Sequence, residues 1–306
     1  VNGRRQDSSV AGQAAALWRV ATFNIRHGLG PDGRVDLART AREIASLGAD
    51  VIGLQEVDAM FGSRSDHEDQ PARLAELLGM QSRFGAALDL PPIRAGAPRR
   101  RYGVALLTRH EILSHSFSLL PAHPHHAPPA EPRGVLRAVV RGPGDERLEV
   151  LVTHLDNAEP AHRTAQVQGI VRVCQDLAGP ALLMGDMNAE PSDPELAALA
   201  ATGWRDAAEA AREIGEAGAA ASGVIGPSGA AGSVPAAVPE SRWQRLLSAP
   251  AVSLRRLRLA THPARFPVRR IDSLWVRGDI GVSALEVAGR GSSDHRGTVA
   301  TVHLTR

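Results

Sequence analysis

Met184-Gly185-Asp186-Met187-Asn188 closes the apolar run that starts at Ala181-Leu182-Leu183, and Gly291-Ser292-Ser293-Asp294-His295-Arg296 leads into Gly297-Thr298-Val299-Ala300-Thr301-Val302. Each is a polar cluster bordering an apolar stretch of strand length, so both read as strand ends at one rim of a sheet. Carboxylate, carboxamide and imidazole groups at such a rim suit metal-assisted phosphate chemistry. An ionised Asp fixes a hard cation or orients water, an Asn holds an oxygen without adding charge, and a His moves a proton near neutral pH.

Working outward, further runs of strand length lie at Arg19 to Ile25, Asp50 to Val57, Gly103 to Thr108, Gly134 to Val140, Leu148 to Leu155, Ile271 to Val276, Val282 to Val287 and Thr298 to Leu304. Helical spacing of apolar residues appears at Val35, Leu37, Ala41 and Ile44, at Leu74, Leu77 and Leu78, and at Val167, Ile170, Val171 and Cys174. Strict alternation of strand and helix would give a doubly wound parallel sheet. Consecutive strands such as 134–140 and 148–155 instead point to hairpins, hence to a mixed-sheet sandwich with helices outside.

The chain has 306 residues, 43% hydrophobic and 22% charged, which fits one large globular domain. Residues 1–18 read as an N-terminal extension and 19–306 as a single catalytic domain. Ala, Gly, Ser and Pro dominate Ala207 to Pro239, and 207–258 as a whole reads as a flexible insertion within that domain. No apolar stretch is long enough to span a membrane, and Val1 to Trp18 shows no signal peptide. With Cys174 as the only cysteine, the expectation is a cytoplasmic protein, or a secreted one if a leader has been removed. All 35 basic residues are arginine and the formal charge is only +2. Together with 3% aromatic content, this disfavours duplex binding and base stacking. Arginines do cluster at Arg99 to Arg101, Arg255 to Arg258 and Arg265 to Arg270, which leaves a local basic groove open.

Competing motifs fail on their chemistry. Gly28-Leu29-Gly30-Pro31-Asp32-Gly33 fits the dinucleotide-binding spacing, but Pro31 has no N–H for a pyrophosphate and the preceding strand ends in Asn24, Arg26 and His27. There is no G-x-S-x-G, and Ser293, Asp294 and His295 are consecutive, so they cannot converge as a triad. The proline-rich stretch Pro121 to Pro132 contains His123, His125 and His126 and reads as an exposed loop beside the site, with metal binding the less favoured role.

The strand ends, taken in order, collect Asn24, Glu56, Tyr102, His154, Asp186 with Asn188, Asp272, and Asp294-His295. This ordered series resembles the endonuclease/exonuclease/phosphatase superfamily, from about Arg19 to Leu304. The resemblance implies an α/β fold, a four-layer sandwich of two mixed β-sheets flanked by helices, and phosphoester cleavage with Mg²⁺ or Mn²⁺. It implies Glu56 as principal metal ligand, with Asn24 and Asp294 beside it. Asp186 would orient or deprotonate the attacking water, and Asn188 would hold a phosphate oxygen. His295 would pair with Asp272, His154 would serve as general acid or phosphate donor, and Arg64, Tyr102 and Arg133 would contact substrate. A second ion would draw on Asp186, Asn188 and His295. Glu56-Val57-Asp58 lacks the Thr-Lys continuation of the base-excision type, whereas Arg64-Ser65 and Glu131-Pro132-Arg133-Gly134 resemble the bacterial branch near sphingomyelinase-like and inositol-phosphatase-like enzymes. The expected substrate is therefore a small or lipid-linked phosphoester. A DNA or RNA nuclease is the alternative, followed by a descendant used for other acid/base chemistry or ligand binding.

Overall fold

The structure is a computed structural model that describes residues 17–142, 144–177, 179–221, 258–289 and 291–305. Its elements are β1 (Leu17–Asn24), α1 (Leu37–Ser46), β2 (Val51–Ala59), α2 (Gln70–Leu78), β3 (Gln81–Leu90), β4 (Arg100–Thr108), β5 (Glu111–Leu119), β6 (Gly134–Arg141) and β7 (Arg147–His154). There follow α3 (Pro160–Val173), β8 (Ala181–Asp186), α4 (Ala197–Ala201), β9 (Arg205–Asp206), α5 (Ala207–Ala221), β10 (Asp272–Arg277), β11 (Ile280–Ala288) and β12 (Gly297–Leu304). One sheet has the order β11-β12-β1-β2-β4-β3 and the other β5-β6-β7-β8-β10-β9. Both are mixed: β1 runs parallel to β2, and β7 to β8, while the remaining pairs are antiparallel.

Two-residue periodicity divides each central strand between two cores. Trp18 and Val20 of β1, Val150 and Val152 of β7, Leu182 and Met184 of β8, and Leu274 and Val276 of β10 pack between the sheets. The intervening residues face outward. Ala21 and Phe23 meet Leu37, Ile44 and Leu74 under α1 and α2, whereas Leu151, Leu183 and Trp275 meet Val167 and Ile170 of α3 and Leu199 of α4. The layers are thus helix, sheet, sheet, helix, the expected four-layer sandwich. Side-chain caps begin the major helices: Asp36, Asp69 and Glu159 accept from Arg39 N, Ala72 N and Ala161 N, and Pro71 and Pro160 occupy first-turn positions.

Three strands escape the sequence reading. β3 and β5 have mostly half-buried or exposed residues and β9 is only two residues long, so none needs a continuous apolar run. The first boundary also shifts, because β1 starts at Leu17 and Trp18, opposite Val302, is buried. Residues 207–221, the first part of the stretch read as a flexible insertion, are instead α5, and Ala207 and Ala210 are buried in the inter-sheet core. Small residues permit that close approach, which composition alone had read as linker. Residues 222–257 of that stretch lie outside the described part. No described helix is long and apolar enough to cross a membrane.

Candidate active site

The same alternation that builds the inter-sheet core carries polar side chains into its upper rim. Counting by twos, Val20 leads to Asn24, Val152 to His154, Met184 to Asp186, and Leu274 back to Asp272. Pairing aligns them further, with His154 opposite Asp186 across β7 and β8 and Asp272 opposite Asp186 across β8 and β10. Glu56 breaks the alternation. A bulge between Leu54 and Val57 gives it φ 56°, so Val57 returns to the outer core and the Glu56 carboxylate joins the rim.

The groups form a connected network. Asn24 Nδ2 donates to Glu56 Oε1 at 2.9 Å and to Asp186 Oδ2 at 3.0 Å, while Asn24 Oδ1 accepts from Arg26 N at 3.0 Å. Asp186 Oδ1 accepts the backbone N–H of Asn188, whose own Nδ2 donates to Leu155 O. His295 Nδ1 lies 2.9 Å from Asp272 Oδ2, and its Nε2 is 3.7 Å from Asp186 Oδ2. From the other side, His154 Nε2 approaches the same oxygen at 3.6 Å. Arg133 Nη1 lies 3.1 Å from His154 Nδ1. Because a guanidinium only donates, Nδ1 must accept, which leaves the proton of a neutral His154 on Nε2, facing Asp186. Ser293 Oγ donates to Asn24 O at 2.7 Å and accepts from His295 N, tying the last loop to β1.

Burial and charge set the protonation states. Burial, reinforced by the neighbouring Asp272, pushes the Asp186 carboxyl up to about 7. For His295 burial opposes the charged form, but Asp272 and Asp186 outweigh it and raise the imidazole to about 10. His154 moves the other way: burial, then the positive charges of Arg133 and His295, hold it well below the usual histidine range. Burial also raises Glu56, against the hydrogen bond from Asn24, and raises Tyr102, reinforced by Glu56 and Glu131. Near neutral pH the rim therefore holds a charged His295, a neutral His154 and, between them, a carboxylate that can take up a proton.

The donor set fits a hard divalent cation. Asp186 and Asp272 each bring a carboxylate oxygen within 4.8 Å of the other and of a His295 ring nitrogen, although the charged His295 would have to give up a proton before it could bind a metal. Asp272 Oδ1 is buried without a hydrogen-bond partner, an oxygen for which positive charge would compensate. Asn24, expected as a metal neighbour, turns its Nδ2 toward the carboxylates and keeps its oxygen on Arg26 N.

These groups border a cavity of about 850 Å³. Glu56, Arg64, Tyr102, Arg133, His154, Asp186, Asn188, Asp294 and His295 reach its wall, whereas Asn24 and Asp272 stand behind it. Of the arginines expected at substrate, Arg64 forms a two-pronged pair with buried Asp58 at 2.9 and 2.7 Å and lies over the Phe61 ring. Arg133 is paired with Glu131 at 2.5 Å. Asp294 sits at the mouth, 3.4 Å from Arg26. The His-rich stretch forms one wall. His162 Nδ1 accepts from His123 N and its Nε2 donates to Ala127 O, so both nitrogens of this buried ring anchor the loop backbone. Sequence reading missed His162, and also His262, whose ring lies 4.6 Å from that of His295. Neither closes an apolar run, so strand-end counting had no means of finding them.

No curated protein matches the sequence. Solved structures do. An endonuclease/exonuclease/phosphatase from Beutenbergia cavernae superposes with a TM-score of 0.66 at 24% identity, covering 94% of this chain and 72% of that one. The catalytic domain of human Nocturnin gives 0.59 at 18% identity and 94% of each chain. A mannosyl-6-phosphatase from Bacteroides thetaiotaomicron gives 0.59 at 15%, with 94% of this chain and all (100%) of that one covered. At these identities the likeness concerns the fold, but the sequence itself matches a family over residues 21–295, the span that carries every rim residue described above: the chain belongs to the Endonuclease/Exonuclease/phosphatase family.

Proposed function

We propose that the protein is a divalent-metal-dependent phosphoester hydrolase that acts on a small or lipid-linked phosphate ester by water attack on phosphorus. Members of the family hydrolyse phosphoester bonds, among them phosphatases, phosphodiesterases and nucleases. The observation that carries the reading is Asp186, a buried carboxylate raised to about 7, linked through Asn24 to Glu56 and flanked by two imidazoles at a cavity floor. Glu56, Asp186, Asp272 and Asp294 are the groups that would hold Mg²⁺ or Mn²⁺, and the ion would supply positive charge against the phosphate oxygens. Asp186 accepts the proton of the attacking water at Oδ2. His154 Nε2–H and His295 Nε2–H donate toward phosphoryl oxygens, and Asp272 keeps His295 charged and oriented. Asn188, fixed by Leu155 O, positions its carboxamide against substrate. A small ester is favoured over duplex DNA because the arginines nearest the catalytic groups, Arg64, Arg133 and Arg26, are already paired with Asp58, Glu131 and Asp294.

The test is turnover of a phosphomonoester, a simple diester, a lipid phosphodiester and plasmid DNA, each with Mg²⁺, with Mn²⁺ and with chelator. Metal-dependent release from one of the first three is expected, abolished by EDTA. Full turnover in chelator would remove the metal from the reading, and Asp186-dependent plasmid nicking without ester turnover would replace it by a nuclease.

A further inference from the structure

Large apolar side chains that stay exposed are not spread evenly over the molecule. The strand directions place the ends of β2, β3, β5, β7 and β8 and the starts of β4, β6 and β10 at the rim that carries the site. At that rim lie Ile93, in the β3–β4 connection, 66% exposed; Leu119, at the end of β5; and Phe266 and Val268, before β10, 72% and 63% exposed. Leu17, by contrast, starts β1 at the opposite rim, and the less exposed Leu77 and Ile214 lie on α2 and α5. Phe266 and Val268 belong to the segment whose His262 and Arg269 line the cavity. Isolated exposed apolar residues are ordinary, but several along the rim that holds a site, two of them on a segment that lines its cavity, mark a contact surface.

Arginine is interleaved with them: Ile93-Arg94 on one side, Arg265-Phe266-Pro267-Val268-Arg269 on the other. Among the described residues Arg94 and Arg265 have no carboxylate partner, whereas Arg269 lies within electrostatic reach of Glu195, and the Arg265 guanidinium lies 5.7 Å from the Phe266 ring. Apolar tips beside unpaired cations match an anionic bilayer, in which rings and branched chains enter the headgroup–acyl boundary while guanidinium groups stay with phosphates. We infer that the rim formed by 91–94 and 262–269 is a docking surface for anionic lipid bilayers, which sets the cavity against the headgroup plane. The inference deepens the hydrolase reading and rests on it for its purpose, since it narrows the substrate to a phosphoester carried by a lipid.

Binding is separable from turnover, so the test uses the full chain in EDTA with no ester present. Flotation with phosphatidylcholine vesicles, with and without phosphatidylserine, should recover the protein mainly with the anionic vesicles. Phe266→Ser with Val268→Ser should cut the bound fraction by about fivefold or more while leaving turnover of a soluble ester unchanged, and Arg265→Gln should weaken the preference for phosphatidylserine. Both apolar residues are exposed, so the double variant should fold. No flotation of the wild type, or flotation unaffected by the double substitution, would overturn the proposal. So would a dimer in gel filtration that Phe266→Ser dissociates, which would make the patch a contact between copies. None of these outcomes bears on soluble-ester hydrolysis, so the docking surface and the hydrolase reading fail independently.

Discussion

At the level of single residues, the chemistry converges on Asp186 Oδ2, which Asn24 contacts directly and both imidazoles face. Asp186→Asn keeps the shape but loses the proton acceptor, so kcat should fall about a hundredfold or more with the melting temperature shifted by only a few degrees. Stopped assays and thermal melts on the same preparation check both halves. A second expectation comes from linkage. Asp186, raised from 3.8 to about 7, keeps its proton when folded where the unfolded chain has lost it, so the metal-free fold weakens as pH rises through that window. His295, raised from 6.5 to about 10, contributes stability that is full below 6.5 and is lost as pH climbs to about 10. The slopes share a sign. In chelator the melting temperature should decline steadily from near-neutral to alkaline pH, and His295→Gln should flatten that decline; a wild-type profile already flat there would contradict the assignment.

At the level of elements, the site depends on how closely strands approach. A Cβ added to Gly185 of β8 would lie 2.1 Å from the carbonyl oxygen of Thr153 on β7, a backbone atom that cannot move alone. One added to Gly53 of β2 would meet Met184 Sδ at 2.7 Å, the flexible end of a side chain. Gly185→Ala should therefore cost more than about 2 kcal/mol and displace Asp186, with Gly53→Ala the milder of the two in denaturant unfolding. Helix α5 carries a further expectation, because Ala207 and Ala210 fill the inter-sheet core beneath β11. Removing 207–221 should lower the melting temperature by several degrees or yield insoluble protein. Deletion without loss of stability would show that the helix is not part of the core.

At the level of the molecule, the two sheets present several carboxylates at one rim, where a bound cation would add to the compensation that Asn24 and the charged His295 supply. Mg²⁺ or Mn²⁺ should raise the melting temperature over that in EDTA, increasingly with concentration, as ligand binding to the folded state alone requires. Glu56→Gln should shift that dependence to higher metal concentration, whereas Cys174→Ala, remote on α3's C-cap, should leave it in place. Calorimetry without substrate reads this directly.

Much of the rim was legible before any coordinates because a strand has a period of two. Once Val152, Met184 and Leu274 are taken as core, His154, Asp186 and Asp272 must share their face, and the resemblance supplied the order in which to seek them. Length and composition pointed to one large globular chain, and the order of strand-length runs and helical spacings to helices outside mixed sheets. Other features depend on partners remote in sequence. The φ 56° at Glu56 exists because two residues of β2 oppose one of β4, and no local propensity foretells it. Arg64, expected at substrate, is held by buried Asp58, while His162 and His262 enter the site by gripping a loop and packing against His295. Edge strands β3 and β5 need only one apolar face, and α5 is rich in alanine because it packs close, so composition alone misread the start of that segment. Local periodicity therefore determined which faces are buried, and only tertiary structure decided which polar groups meet, because hydrogen bonds and charge pairs are set by distances between segments and not by spacing within one.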